Sequence, residues 1–149
     1  MAAMAAGAFR RTAVERSDQR VSWERPDQAF FAAGACHVLA WACRDAYADR
    51  PVELAALVFE GRWQPFHVYA SWEGWAFDHS GWNPESHLIE INADFERRMV
   101  QRVSVGVGLD EFCETYHHRR PDQFWRDPRP RARAYLSRST PPWDAAARR

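Results

Sequence analysis

The sequence predicts an α+β domain: a central helix carrying a cysteine, packed on a small antiparallel sheet. Three observations carry this expectation. The stretch Phe30 to Tyr47, FFAAGACHVLAWACRDAY, places apolar residues at Cys36, Leu39, Ala40, Cys43 and Tyr47, the three-and-four spacing of one helix face. The segments FHVYAS (66–71) and WAFD (75–78) alternate across a short Trp72-Glu73-Gly74 connection, the pattern of a hairpin. Hydrophobic residues make up 46% of the 149 residues, which suits one folded domain with a real core and excludes a disordered chain.

Taken in order, residues 1–20 read as a flexible lead-in; their charges follow the small apolar run, the reverse of a secretory signal. A single domain is expected over 21–118. Pro26 and Asp27 mark a possible helix start. The central helix then reads as one unit from Phe30, with Cys36 close to its first turn and Ala32-Ala33-Gly34-Ala35 leading in. It ends near Asp49-Arg50, where Pro51 blocks continuation. Val52–Glu60 reads as a strand and Gly61–Pro65 as a turn. In the hairpin, His67, Tyr69 and Ser71 share one face of the first strand, and Asp78 lies on the second. His79–Ser86 reads as a loop. His87–Asn92 fits either a short strand or the start of a helix through Phe95 and Met99. Val103–Val107 is a further strand candidate. Asp110–His117 reads as a short helix that turns Leu109, Phe112, Cys113 and Tyr116 inward. Residues 119–149 read as an Arg/Pro-rich C-terminal extension, with a helical turn or two around Arg131–Ser137.

The candidate chemistry starts at Cys36. A thiol near a helix N-terminus meets unpaired backbone N–H groups and the positive end of the helix dipole, both of which favour the thiolate. With the hairpin turn centred between Trp72 and Glu73, His67 falls directly opposite Asp78. A carboxylate there holds an imidazole in one tautomer and stabilises its charged form. A one-residue shift, of the kind a bulge at Gly74 produces, would instead turn Asp78 to the other face. If the Cys36 end of the helix packs against this face, a nucleophile, a base and an orienting carboxylate come together. The helix-start N–H groups then supply an oxyanion site.

GACHVLA, FHVYA and WAFDHSG together resemble the Cys, His, Asp order of the papain-like and transglutaminase-like superfamily, over residues 28–82. The resemblance implies Cys36 as nucleophile, His67 as base and Asp78 as orienter. It also implies a cysteine that begins a helix, with the histidine and aspartate on neighbouring antiparallel strands. Gln28, eight residues before Cys36, stands farther off than the oxyanion glutamine of papain-type enzymes.

Each residue also has a plainer reading. Cys36 is a small residue of a type often buried in cores. His67 suits a half-buried, backbone-bonded histidine, and Asp78 a turn cap. His37 reads as structural or as a rim residue, and Cys43 as core. Trp72, Trp75 and Trp82 are candidates to line a substrate groove. Cys36, His67, Asp78, His79 and His87 are of zinc-ligand types but lack the usual ligand spacing, so no metal and no other cofactor is expected.

The function expected is a thiol enzyme acting on an amide or acyl bond: peptidase, amidase, deamidase or transamidase. Its substrate would be a peptide or protein. The alternatives are a non-catalytic interaction domain of the same fold and, below that, a zinc-binding domain.

Three cysteines form no metal-type CxxC pair, and Cys36 and Cys43 are about 10.5 Å apart along a helix, too far for a disulfide. A reducing, cytoplasmic compartment fits. The longest apolar run is too short to span a bilayer, which needs roughly 20 residues. Net charge is zero but uneven: eleven Arg against seventeen acids give −6 over 1–118, and nine Arg against three Asp give +6 over 119–149. That basic tail lacks a recognised nucleic-acid fold, so solvation or partner docking is expected of it. All twenty basic residues are Arg. A GC-rich genome accounts for this, as does selection against lysine modification in a protein delivered into another cell.

Overall fold

The computed structural model describes residues 4–144. Residues 1–3 of the lead-in and 145–149 of the extension lie outside the described residues. The chain is mixed α+β, as expected. Five antiparallel strands form one sheet in the order β4-β3-β2-β1-β5: β1 (Glu53–Phe59), β2 (His67–Trp72), β3 (Trp75–Asp78), β4 (Gly81–Pro84) and β5 (Val100–Val105). The described residues also form seven α-helices: α1 (Ala13–Ser17), α2 (Gln19–Trp23), α3 (Asp27–Ala32), α4 (Cys36–Ala46), α5 (Glu85–Glu96), α6 (Leu109–Tyr116) and α7 (Arg129–Leu136). None is long and apolar enough to cross a membrane.

The stretch expected to be a single helix is two. Helix α3 stops at Ala32, and α4 begins at Cys36. Gly34 separates them with φ +105°, a conformation that L side chains rarely adopt. The break makes Cys36 the first residue of α4 rather than one inside a longer helix. Helix α4 also ends at Ala46, before the expected Asp49-Arg50, with Tyr47 as its C-cap at φ −114° and ψ 43°.

Helix α4 is buried on most of its surface: Cys36, His37, Val38, Leu39, Ala40, Trp41 and Cys43 are all inside. One side meets Val68, Ala70 and Phe77 of the sheet, and another meets Ala132 and Leu136 of α7. On the opposite sheet face, Leu88 of α5 closes over Ala55, Leu57, Tyr69 and Ala76. With helices on both faces, β2 is buried along its whole length.

The ends of the chain join this packing. Ala6, in a 3-10 turn over Ala6–Phe9, donates its backbone N–H to the Asn92 side chain of α5. Phe124 joins the main core with Ala132 and Leu136. Arg131 donates to Asp27 and to the Trp23 and Arg25 carbonyls, each at 2.7 Å.

The segment His79–Ser86, expected as a loop, contains the edge strand β4 and the start of α5. The Asp78 carboxylate accepts the Ser80 backbone N–H at 2.8 Å, and Gly81 takes φ +88°, so the chain reverses within two residues and pairs back on β3. His87–Asn92 is helical, within α5. Strand β5 begins three residues before the expected Val103. Its exposed middle carries Gln101, Arg102 and Ser104, and charge along an outer strand discourages pairing with another chain.

Gly34→Ala places a side chain where φ is strongly positive and a new Cβ would lie 3.1 Å from the Arg11 guanidinium. Chemical denaturation of this variant is expected to show a loss of about 1–3 kcal/mol, the usual cost of such backbone strain.

Candidate active site

The hairpin brings His67 and Asp78 together by a register other than the expected one. Trp72 pairs with Trp75, Ser71 with Ala76 and Ala70 with Phe77. Glu73 (φ 44°) and Gly74 (φ 81°) form the two-residue turn, both with positive φ as a type I′ turn requires. Continued along the strands, this register sets Asp78 opposite Tyr69, two residues beyond His67. His67 is therefore the diagonal neighbour of Asp78, not its direct partner. A two-residue offset preserves the face, and a diagonal separation is within reach of long side chains. His67 Nε2–H donates to Asp78 Oδ2 at 2.9 Å, with both side chains fully buried.

Asp78 is a loaded acceptor. Its second oxygen takes the Ser80 N–H and hydroxyl, and His79 Nδ1 lies 3.5 Å from Oδ2. Burial pushes its carboxyl up, but the charge of His79 and the bonds from His67 and Ser80 outweigh this and hold it below the usual carboxylate range. For His67, burial favours the neutral ring, but the Asp78 and Cys36 interactions win and raise its pKa.

Cys36 opens α4. Ala35, the residue before it, offers no side-chain cap to the first-turn N–H groups. Burial alone would raise its thiol pKa. Hydrogen bonding to His37 and His67, together with their charges, reverses that and takes it well below the ordinary value. Cys43 has no such neighbours, and burial pushes it up to about 12. No well-aligned hydrogen bond closes at Nδ1 of His67 or of His37.

The contribution of His37 is absent from the sequence reading, which placed it as structural or at a rim. It is fully buried, its Nε2–H donates to the Arg119 carbonyl at 2.7 Å, and its ring meets His118 edge-on at 5.0 Å. Burial disfavours its charge, but Cys113 and Cys36 raise its pKa to about 9. Both imidazoles thus act to lower the Cys36 pKa. Only His67 is backed by a carboxylate. The sequence signal was adjacency: a residue next to Cys36 on a helix buried nearly all round has no outer face to occupy. Contrary to expectation, α4 does not pack on the face that carries His67 and Asp78: it lies over Val68, Ala70 and Phe77, whereas His67, the first residue of β2, shares the face of Leu57, Tyr69 and Ala76 beneath α5.

A cavity of about 970 Å³ opens on Cys36, walled by Arg11, Gly34, Gln64, Cys113, His118 and Arg119 among others. Cys36 alone of the three candidate catalytic residues forms part of that wall. Trp72, Trp75 and Trp82, expected to line a groove there, do not. All three pack on the main core, and Trp143 meets Trp72 at 5.0 Å and Trp82 at 5.5 Å. Gln28 is exposed on α3, whereas Gln19 lines the cavity.

No family model matches the chain, and no curated protein or solved structure matches it either. Functional inference therefore rests on the geometry of the site.

Alkylation by iodoacetamide at neutral pH, followed by peptide mapping, is expected to modify Cys36 well before Cys43 or Cys113. Because the Cys36 pKa is lowered, its rate should begin to fall at a lower pH than that of Cys43 or of a free thiol. A free thiol loses about tenfold per pH unit below its pKa of about 8.5. His67→Ala should shift the Cys36 profile back toward higher pH.

Proposed function

We propose that the protein is a thiol-dependent enzyme acting on an amide or acyl bond through Cys36, His67 and Asp78. The observation that carries this reading is a cysteine at the first position of a buried helix, opening on a cavity, whose thiol pKa is lowered by a histidine that a buried carboxylate holds at 2.9 Å. The order Cys, His, Asp, with the last two on adjacent antiparallel strands, supports a papain-like or transglutaminase-like core. Three unpaired cysteines fit a reducing compartment, and a peptide or protein is the fitting substrate.

In this reading, the bond to Asp78 keeps a proton on His67 Nε2 and leaves Nδ1 for the sulfur. Nδ1 takes the Cys36 proton, and the resulting thiolate attacks the carbonyl carbon, forming a C–S bond while the carbonyl π electrons move to oxygen. Backbone N–H groups at the start of α4 receive that oxyanion. As the intermediate collapses, the C–N bond breaks and His67 protonates the leaving amine. Water, or a second amine, then attacks the thioester. His67 takes its proton, and the thiolate leaves with the C–S electrons. Peptidase, amidase, deamidase and transamidase chemistry differ only in the leaving and entering groups.

One observation favours a second reading. Ligand atoms of His67, Asp78 and His79 all lie within 4.8 Å of one another in a buried cluster, the residue types of a zinc site. The readings exclude each other, because a metal on His67 Nε2 would displace the hydrogen bond to Asp78.

With p-nitrophenyl acetate as a generic acyl donor, the protein is expected to release a burst of nitrophenolate equal to the active-site concentration. Cys36→Ser should abolish it, and Asp78→Asn should slow it by about 10²-fold or more. Elemental analysis of the purified protein is expected to find no stoichiometric metal. One equivalent of zinc, removed by a chelator with loss of fold, would replace the thiol reading with the metal one.

A further inference from the structure

The wall of the cavity beside Cys36 is cationic, although residues 1–118 carry a net charge of −6. Arg11, Arg16 and Arg119 contribute to it. The acids on the same wall do not neutralise them: Glu96 is engaged with Arg10, and Glu114 is exposed. Among the described residues, neither Arg11 nor Arg119 forms an ion pair with a carboxylate. Nη1 of Arg11 is buried and has no hydrogen-bond partner. A buried, unsatisfied guanidinium nitrogen is costly and calls for an explanation.

Its position supplies one. The Arg11 guanidinium sits against the backbone of Gly34, where a Cβ would be 3.1 Å from its Cζ and Nη1. Gly34 lies two residues before Cys36, so the unpaired donor stands beside the chain that presents the sulfur. Burial lowers the Arg11 pKa, followed by the charge of Arg119; the contribution that raises it comes from Cys36. Arg119 reaches the same wall from the opposite end of the chain. It is half-buried, with its guanidinium over the Phe124 ring at 5.4 Å. A pair of guanidinium groups in a partly closed cleft is the usual receptor for a carboxylate or phosphate, each able to take two parallel N–H bonds.

We infer that Arg11 and Arg119 form an anion subsite beside Cys36, so that the acyl substrate carries a carboxylate or phosphate group close to the bond attacked. The inference rests on the thiol-enzyme reading for its chemistry, but the subsite can be measured without turnover. Iodoacetate and iodoacetamide deliver the same carbon to a thiolate, and only iodoacetate carries an anion. At low ionic strength, iodoacetate should alkylate Cys36 faster than iodoacetamide does, relative to the same ratio for free glutathione. Arg11→Gln and Arg119→Gln should each cut that normalised ratio by about tenfold, the scale of local electrostatic recruitment. The iodoacetamide rate of each variant, measured alongside, separates a change in the thiolate itself from loss of anion recruitment. Arg11→Lys should restore part of the ratio, and Arg129→Gln, which removes a guanidinium outside the cavity that is paired with Asp127, should leave it unchanged. Circular dichroism confirms that each variant is folded.

Succinate and inorganic phosphate, tested separately as protectants against iodoacetamide, assign the anion: protection by either supports the subsite and names its chemistry. A Cys36 that reacts fast with both reagents, with a ratio indifferent to Arg11 and Arg119, overturns the subsite and leaves the thiol reading standing. A Cys36 no faster than glutathione toward either reagent overturns the thiol reading itself.

Discussion

A carboxylate with no access to water organises one end of the sheet. Asp78 is buried as a charge, and an unpaired charge in that position would be prohibitively costly. Everything around it serves to satisfy it. The Ser80 N–H and hydroxyl fold the chain back into β4, His67 is drawn in across a diagonal of the hairpin, and His79 stands beside it. The same contacts that make the carboxylate tolerable orient the imidazole, leaving one ring nitrogen available to sulfur. Local stability and the orientation of the His67 ring are here a single set of hydrogen bonds.

The second determinant is the break at Gly34. A continuous helix from Phe30 would have enclosed the Cys36 N–H in an ordinary helical bond. With α4 restarting at Cys36, the N–H groups of the first turn are released next to the sulfur. The small residues Ala32 to Ala35 allow Arg11 to approach that turn closely. The feature that gives the thiol its backbone donors therefore also brings a guanidinium to its side.

Much of this was legible in the sequence. The 3.6-residue spacing along Cys36, Leu39, Ala40 and Cys43 located α4, and the alternation in FHVYAS and WAFD located the central hairpin. His67 and Asp78 were found for an incomplete reason. Side-chain parity survives an offset of two residues, so the shared face was correct while the direct pairing was not. The helix break was missed because the one residue able to take φ +105°, Gly34, stands in a run of alanines that reads as helix. Strand β4 was missed because Gly81, Asn83 and Pro84 are poor strand formers, and what makes that segment a strand is the turn that Asp78 creates. The tryptophans were misplaced for a different reason: large aromatic side chains fill a core as readily as they line a groove, and their partner, Trp143, lies about sixty residues beyond Trp82 in the sequence. The burial of His37 depends on the Arg119 carbonyl, which no local pattern specifies.

The separation in sequence of these contacts bears on the order in which the site is assembled. His67 and Asp78 are 11 residues apart, a loop that closes at small entropic cost. The link from His37 to Arg119 spans 82 residues, and that from Asp27 to Arg131 spans 104. Contacts of such range form late, after most of the topology is in place. During synthesis the imidazole and its carboxylate can therefore meet while Arg119, the last of the cavity's arginines named above, is still to be translated. Cys36 acquires its full surroundings only after Arg119, four-fifths of the way along the chain, has left the ribosome, so its environment is completed at a late stage of folding.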